Sequence, residues 1–250
     1  MTELEIRGLR RRFGGVAAVD GVDLDVPAGA VTALIGPNGA GKTTLFHCVT
    51  GLDAADGGTV TLGGRRLSGL PPHARARAGM AWTFQRIELF AGLTVAENVR
   101  VGAENRRGRP LAAGLLGLPD RRRGEVRATV SAVLDRLGLT ALADAPAGTL
   151  PTGTMRLVEV GRAVAAEPSA LLLDEPASGL DDDQIARLVR VLRGLAGDGM
   201  AVLVVEHDLR FVGAVADSVR VMVGGRIVLS GRPDEVLAAP LVREIYAGEE

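Results

Sequence analysis

Gly36, Pro37, Asn38, Gly39, Ala40, Gly41, Lys42, Thr43 and Thr44 form the stretch from which a chemistry can first be argued. The spacing of Gly36, Gly41, Lys42 and Thr43 is that of a loop whose backbone N–H groups wrap phosphate oxygens. In such a loop Lys42 reaches the outer phosphates of a nucleotide, and the Thr43 hydroxyl is offered to Mg²⁺. The competing reading is a chance match, since a chain with 34 glycines makes glycine-rich turns freely. Lys42 argues against chance: it is the only lysine, every other fixed side-chain cation being arginine. A compact ammonium kept in so arginine-rich a chain points to a site that a planar guanidinium does not fit.

Leu171-Leu-Leu-Asp174-Glu175 is the second stretch, two carboxylates ending an apolar run. Beside a phosphate loop, Asp174 would face Mg²⁺, and Glu175 would orient or deprotonate a water. The plainer alternative is an acidic pair in the turn before Pro176.

These residues need a strand and a helix to hold them. Val31–Ile35, ahead of the phosphate loop, reads as a strand buried on both faces. Thr44–Thr50 reads as a helix with Leu45, Phe46 and Val49 on one face and Gly51 as its stop. The positive end of that helix dipole adds to anion binding. Elsewhere in residues 3–35 the pattern predicts short strands, with Leu4 and Ile6 alternating, then Val22, Leu24 and Val26. Phe13 lies in the first, either packed in a core or offering its face to adenine. Residues 58–67 read as a hairpin, a short helix follows Pro71-Pro72, and Met80–Phe84 returns to strand.

From about residue 88 the texture turns helical. Thr94 and Glu97 have capping-box spacing, residues 105–120 read as an irregular connection, and Arg121–Leu139 carries Val126, Val130, Val133, Leu134 and Leu137 as a stripe. Thr152–Ala166 is another helix, with Thr152 at its cap. Strands return at Ala170–Leu173, Ala201–Val205 and Val219–Val223, separated by helices near 181–196 and 208–216. A hairpin at Gly224-Gly225 and two short helices close the chain. Strands alternating with helices predict an α/β fold on a parallel sheet, with about 88–166 inserted.

Composition narrows the function. At 250 residues the chain suits one large domain, and a net charge of −1 gives no case for nucleic acid as a partner. No apolar run approaches the ~20 residues needed to cross a bilayer, and the N-terminus lacks a signal-peptide core. Cys48 is the single cysteine, so no internal disulfide forms, and a reducing compartment fits.

Gly36–Thr44, Gln85 after Trp82-Thr-Phe84, Leu171–Pro176, Ser178-Gly-Leu-Asp181 and Val205-Glu-His207-Asp208 occur in an order that resembles ABC-transporter ATPases. The resemblance covers essentially the whole chain. It implies a P-loop NTPase (RecA-like) α/β core with an N-terminal antiparallel β subdomain and an inserted α-helical subdomain. The chain would be one domain, 1–250, with its core about 1–87 and 167–250 and its helical part about 88–166. It also implies roles: Phe13 stacking adenine, Gln85 watching the γ-phosphate and Mg²⁺, Glu175 acting on water, His207 contacting the γ-phosphate, and Asp181 coupling two sites in a dimer. On residue chemistry alone, His207 could equally be a satisfied histidine beside a strand end.

Phe13-Gly-Gly15, Thr83–Phe90, Leu93–Asn98 and Ile245-Tyr-Ala-Gly-Glu249 look like the ATPases of branched-chain amino-acid uptake; those of urea and amide importers are closely similar. The implied assembly joins ATP and Mg²⁺ with a second ATPase subunit (a copy or a relative), transmembrane permease subunits and a separate solute-binding protein. The chain would be cytoplasmic, peripheral on the inner face of the cell membrane. Ile87–Leu93 is expected to touch the permease, although Leu89 and Phe90 could instead be core. Ribosome- or DNA-acting ABC ATPases, exporters and small-molecule P-loop kinases are the rival readings.

One departure stands out. The family's Leu-Ser-Gly-Gly-Gln signature falls on Leu150-Pro-Thr-Gly-Thr154, where Pro151 removes a hydroxyl and a backbone donor. Thr152 and Gly153 would still meet nucleotide bound by the opposite subunit. The site built with this signature is expected to be the slower one, since one lost donor can cost about 3 kcal/mol.

Overall fold

The computed structural model describes residues 2–107 and 123–247. Most of the expected 105–120 connection, and Arg121 and Arg122, lie outside the described residues. β1 (Thr2–Phe13) and β2 (Val16–Pro27) pair antiparallel around Gly14-Gly15. The short strands expected here are instead two twelve-residue strands, because register shifts along the ladder carry the pairing past Gly8 and Gly21. β3 (Val31–Ile35) is buried throughout and leads into α1 (Lys42–Thr50). β4 (Gly57–Leu62) and β5 (Arg65–Arg66) make the hairpin, followed by α2 (Pro72–Arg77) and β6 (Met80–Thr83).

α3 (Val95–Arg107) opens on the expected capping box: the Glu97 N–H donates to Thr94 Oγ1 at 3.2 Å, and the Thr94 N–H to Glu97 Oε2 at 2.9 Å. α4 (Arg123–Arg136) and α5 (Thr152–Val164) follow, then β7 (Ala170–Asp174), α6 (Asp182–Gly197), β8 (Ala201–Val205) and α7 (Leu209–Val215). β9 (Ser218–Val223), β10 (Arg226–Gly231), α8 (Pro233–Ala238) and α9 (Pro240–Ala247) end the fold.

Among the described residues there are two sheets. One is antiparallel, in the order β2-β1-β4-β5; the other runs β10-β9-β3-β8-β7-β6 and is parallel except for β10. Alternation along the central strands explains two cores. Val31, Ala33 and Ile35 of β3, Leu171 and Leu173 of β7, and Val202 and Val204 of β8 face the helices α3 to α9. Leu34, Leu172, Leu203 and Val205 face α1 and the antiparallel sheet, where Leu4, Ile6, Leu24 and Val26 meet them. Each Val, Leu or Ile among them contributes about 1.5–3 kcal/mol on burial, and a strand apolar on both faces demands covers on both.

Candidate functional site

Because β3, β6, β7 and β8 run parallel, the loops leaving their C-terminal ends open on one sheet edge. Register brings them level: Val205 stands opposite both Leu34 and Asp174, and Thr83 opposite Leu173. Residues 36–41, 84–93, 175–181 and 206–208 therefore gather around one place.

The phosphate loop turns through Gly41, whose φ of 100° lies in the left-handed region. A Cβ there would collide with the Ala18 carbonyl oxygen, so glycine is required on both counts. Gly41 caps α1, and Lys42 is its first residue. The buried Lys42 ammonium donates to the carbonyls of Gly36 at 2.5 Å and Pro37 at 3.0 Å. Polar atoms of its own loop thus hold the ammonium. Pro37, Asn38, Gly39 and Ala40 complete the turn, and Thr43 and Thr44 follow Lys42 in the first turn of the helix.

Asp174 is buried, and burial pushes its carboxyl up to about 6, with the Glu175 charge adding to the rise while His47 and Lys42 oppose it. Among the described residues no cluster of three or more His, Cys, Asp or Glu could hold a metal. Thr43 and Asp174 are hard oxygen donors, and a strained-up carboxylate is one that a nearby cation would restore. The pair fits a small hard cation that takes its remaining ligands from phosphate and water, as Mg²⁺ does.

Glu175 sits at φ 45°, a left-handed conformation unusual for a side chain with a Cβ. Its carboxylate is turned away from the buried position of Asp174: Gln85 Nε2 donates to Glu175 Oε2 at 2.7 Å. His207 Nδ1 stands 3.6 Å from Glu175 Oε1 and 3.7 Å from Glu206 Oε2, close enough for charge but too long for hydrogen bonds. The structure therefore brings Gln85, Glu175 and His207 together.

Phe13 is at the end of β1 and 47% exposed, so core packing does not explain it. The Arg11 guanidinium covers one face at 4.5 Å from the ring centre, and Asp56 holds Arg11 at 3.1 Å. Four and five residues on, Ala17 and Ala18 run against Gly225 and Gly41, which carries the Phe13 turn toward the phosphate loop.

Thr152, Gly153 and Asp181 form a second cluster. Asp181 caps α6 in a capping box with Gln184, and Gly153 is buried against that same Gln184 side chain. Thr152 does not cap its helix as expected. Pro151 occupies the cap position with no side-chain hydrogen bond, because its fixed φ suits the extended residue ahead of a helix, and Thr152 becomes the exposed first helical residue.

Several residues at this edge were given no role from sequence, although Glu206 and Tyr246 lie within motifs that carry the resemblance. Glu206, fully buried, accepts the N–H groups of Ala177 (2.9 Å), His207 (2.8 Å) and Asp208 (3.1 Å), locking the turn that presents His207. Burial pushes its carboxyl above the ordinary range, and those three donors pull it back. An acid directly after the apolar run Ala201–Val205 was the available signal. Tyr246, the only tyrosine, sends its hydroxyl from α9 to accept the Gly36 N–H at 3.0 Å. Arg156 and Glu159 of α5 hold the backbone around Gln85.

Among the described residues no helix is long and apolar enough to cross a membrane. Residues 19–178 match the ABC transporter family. The high-affinity branched-chain amino acid transport ATP-binding protein BraF of Pseudomonas aeruginosa is 39% identical over 251 residues, covering 98% of each chain. The corresponding protein LivG of Escherichia coli K12 is 37% identical over 249 residues, again covering 98% of each. Among solved structures, a nucleotide-free ATP-binding cassette from an ABC transporter superposes with a TM-score of 0.86 at 33% identity, over 98% of this chain and 99% of that one. The ADP conformation of such a cassette gives 0.85 at 33% identity, over 99% of both. A family match across residues 19–178, with relatives 37–39% identical along nearly the whole chain and cassettes of the same shape, means that the chain belongs to the ABC transporter family, among its ATPases.

Proposed function

We propose that this chain is the ATP-hydrolysing subunit of an importer for branched-chain or similar hydrophobic amino acids. The contact between Gln85 and Glu175, beside His207 at the edge that holds Lys42, carries the reading. The kinship with BraF and LivG supports the solute class.

Adenine stacks on the free face of Phe13, and the loop from Gly36 to Thr44 wraps the phosphates, with Lys42 leaving its loop carbonyls for the outer phosphates. Mg²⁺, held by Thr43, Asp174 and Gln85, would neutralise phosphate charge. Glu175 accepts a proton from water as the water oxygen bonds to the γ-phosphorus and the bond to the bridging oxygen breaks. ADP and inorganic phosphate result. His207 contacts the γ-phosphate, oriented by the Glu206 turn. Thr152, Gly153 and Asp181 act across a pair of ATPase subunits. Residues of about 88–166 form a helical subdomain on a core of about 1–87 and 167–250, and Ile87–Leu93 meets the permease. A separate solute-binding protein acts through that permease, with the ATPase on the cytoplasmic face of the membrane.

The test is Glu175→Gln, measured for hydrolysis, ATP binding and mass by light scattering with and without Mg-ATP. Hydrolysis should fall at least about a hundredfold while ATP still binds. A shift from monomer to dimer on Mg-ATP would make a pair of identical chains the working unit. A monomer with ATP bound would point to a different ATPase as partner or to a membrane scaffold. Hydrolysis within a few-fold of wild type would overturn the assignment of Glu175.

A further inference from the structure

We propose that Arg156 and Glu159, a buried ion pair on α5, are positioning residues that set where Gln85 stands relative to Glu175. The inference rests on the catalytic reading of Glu175 and Gln85. Arg156 and Glu159 are 2% and 1% exposed and pair at 2.9 Å. What distinguishes them from an ordinary core ion pair is the rest of their bonds. Arg156 Nη1 donates to the Phe84 carbonyl at 2.8 Å, and Nη2 to the Gln85 carbonyl at 2.8 Å. Glu159 Oε1 accepts the Glu88 N–H at 3.1 Å.

Burying two charges is costly, and an apolar pair of the same shape is often at least as stable. No apolar pair could hold three backbone polar groups of an otherwise irregular segment. The guanidinium fork suits two neighbouring carbonyls, and the carboxylate takes the donor on the other side. Burial pushes the Glu159 carboxyl above its ordinary range, while the Glu88 N–H and Arg156 draw it down.

The same segment is tied down further along, always to helices. Arg162, six residues on from Arg156, lies 5.6 Å over the Phe90 ring. The fully buried Asn98 of α3 accepts the Phe90 N–H at 3.0 Å and donates to the Phe90 carbonyl at 3.1 Å. Residues 84–90 are thus bolted to α3 and α5, and the Gln85 side chain reaches from them to Glu175 on the sheet. α5 begins at Thr152, one turn before Arg156. The segment that carries Gln85 and the signature end of α5 therefore move as one body, and the ion pair is the bolt.

The experiment compares Arg156→Lys and the charge-neutral double variant Arg156→Gln/Glu159→Gln with wild type. It measures steady-state kcat and KM for Mg-ATP, ATP affinity, thermal melting, and emission of Trp82. Trp82 is the only tryptophan and lies on β6, two residues before Phe84. A displacement of about 1 Å at a catalytic group can cost on the order of a hundredfold in rate. The double variant should lose about tenfold to a hundredfold in kcat, with KM and ATP affinity within about threefold. Its Trp82 response to Mg-ATP should differ from that of wild type.

Arg156→Lys keeps the charge but not the fork and should fall between the two. If the double variant does not fold, Arg156→Lys alone decides. Folded variants with kcat within twofold of wild type, or a loss that follows only the melting temperature, would overturn the proposal. So would a rise in KM at constant kcat. Glu175→Gln run alongside separates the two levels: wild-type hydrolysis there would sink the catalytic reading itself, and this inference with it.

Discussion

Neighbouring carboxylates at the end of β7 meet opposite environments. Asp174 is buried and pushed up to about 6, chiefly by burial, whereas Glu175 turns out at φ 45° to meet Gln85 and His207. Alternation along a strand separates the two side chains, and the left-handed turn at Glu175 re-aims the second. Lys42 gives the cleanest residue-scale prediction, because it is the only lysine. Amine-directed labelling followed by peptide mass mapping should find one modified side chain. ATP at about a hundred times its dissociation constant should slow that labelling roughly a hundredfold, since only the free protein reacts. Labelling at an unchanged rate would mean that Lys42 does not touch nucleotide. The lysine was legible in the sequence through its uniqueness. Arg156, one of 28 arginines (29 Lys and Arg together, less Lys42), carried no such mark.

Helices α3 and α5 pack closely enough that a Cβ added at Gly102 would strike the Arg162 carbonyl oxygen. That atom is backbone and cannot rotate away, so Gly102→Ala must part the two helices that hold residues 84–90. Overpacking of this kind costs about 1–3 kcal/mol. In a chain of this size, that lowers the melting temperature by roughly 2–12 °C. Scanning calorimetry would measure it, and an unchanged melting temperature would show that α3 yields freely. Elements whose signals are local were readable: the Thr94–Glu97 capping box, the strand ahead of the phosphate loop, and the hairpin at Gly224-Gly225. The length of β1 and β2 was not, because cross-strand pairing and bulges keep them continuous through Gly8 and Gly21. Nor was the cap of α5, where proline outcompeted the neighbouring threonine.

At the scale of the whole molecule, the proposed pairing of two ATPase subunits turns on the signature end of α5. Pro151 supplies no side-chain acceptor to the helix start, and Thr152 is exposed there. Replacing Pro151→Ser, Thr152→Gly and Thr154→Gln together should raise the hydrolysis rate of a pair of identical chains by about tenfold to a hundredfold. The added serine would also cap the helix, worth about 1 kcal/mol. A steady-state assay at fixed protein concentration reads the gain, and no gain would mean that Thr152 already replaces the serine.

The sequence by itself determined the parallel sheet, the glycine loop and the acid pair, because each rests on residues adjacent in the chain whose periodicity or spacing is the physical requirement; the family was legible as a resemblance, through the order of several separate motifs along the chain. Only the tertiary structure decided that Tyr246 holds Gly36 from 210 positions away, and that Arg156 holds Phe84 and Gln85 across 72 and 71. Contacts of that range exist once the sheet order and the two cores have fixed which loops share an edge. No local pattern records them, because a single arginine or tyrosine has the same local preferences whichever distant carbonyl it meets.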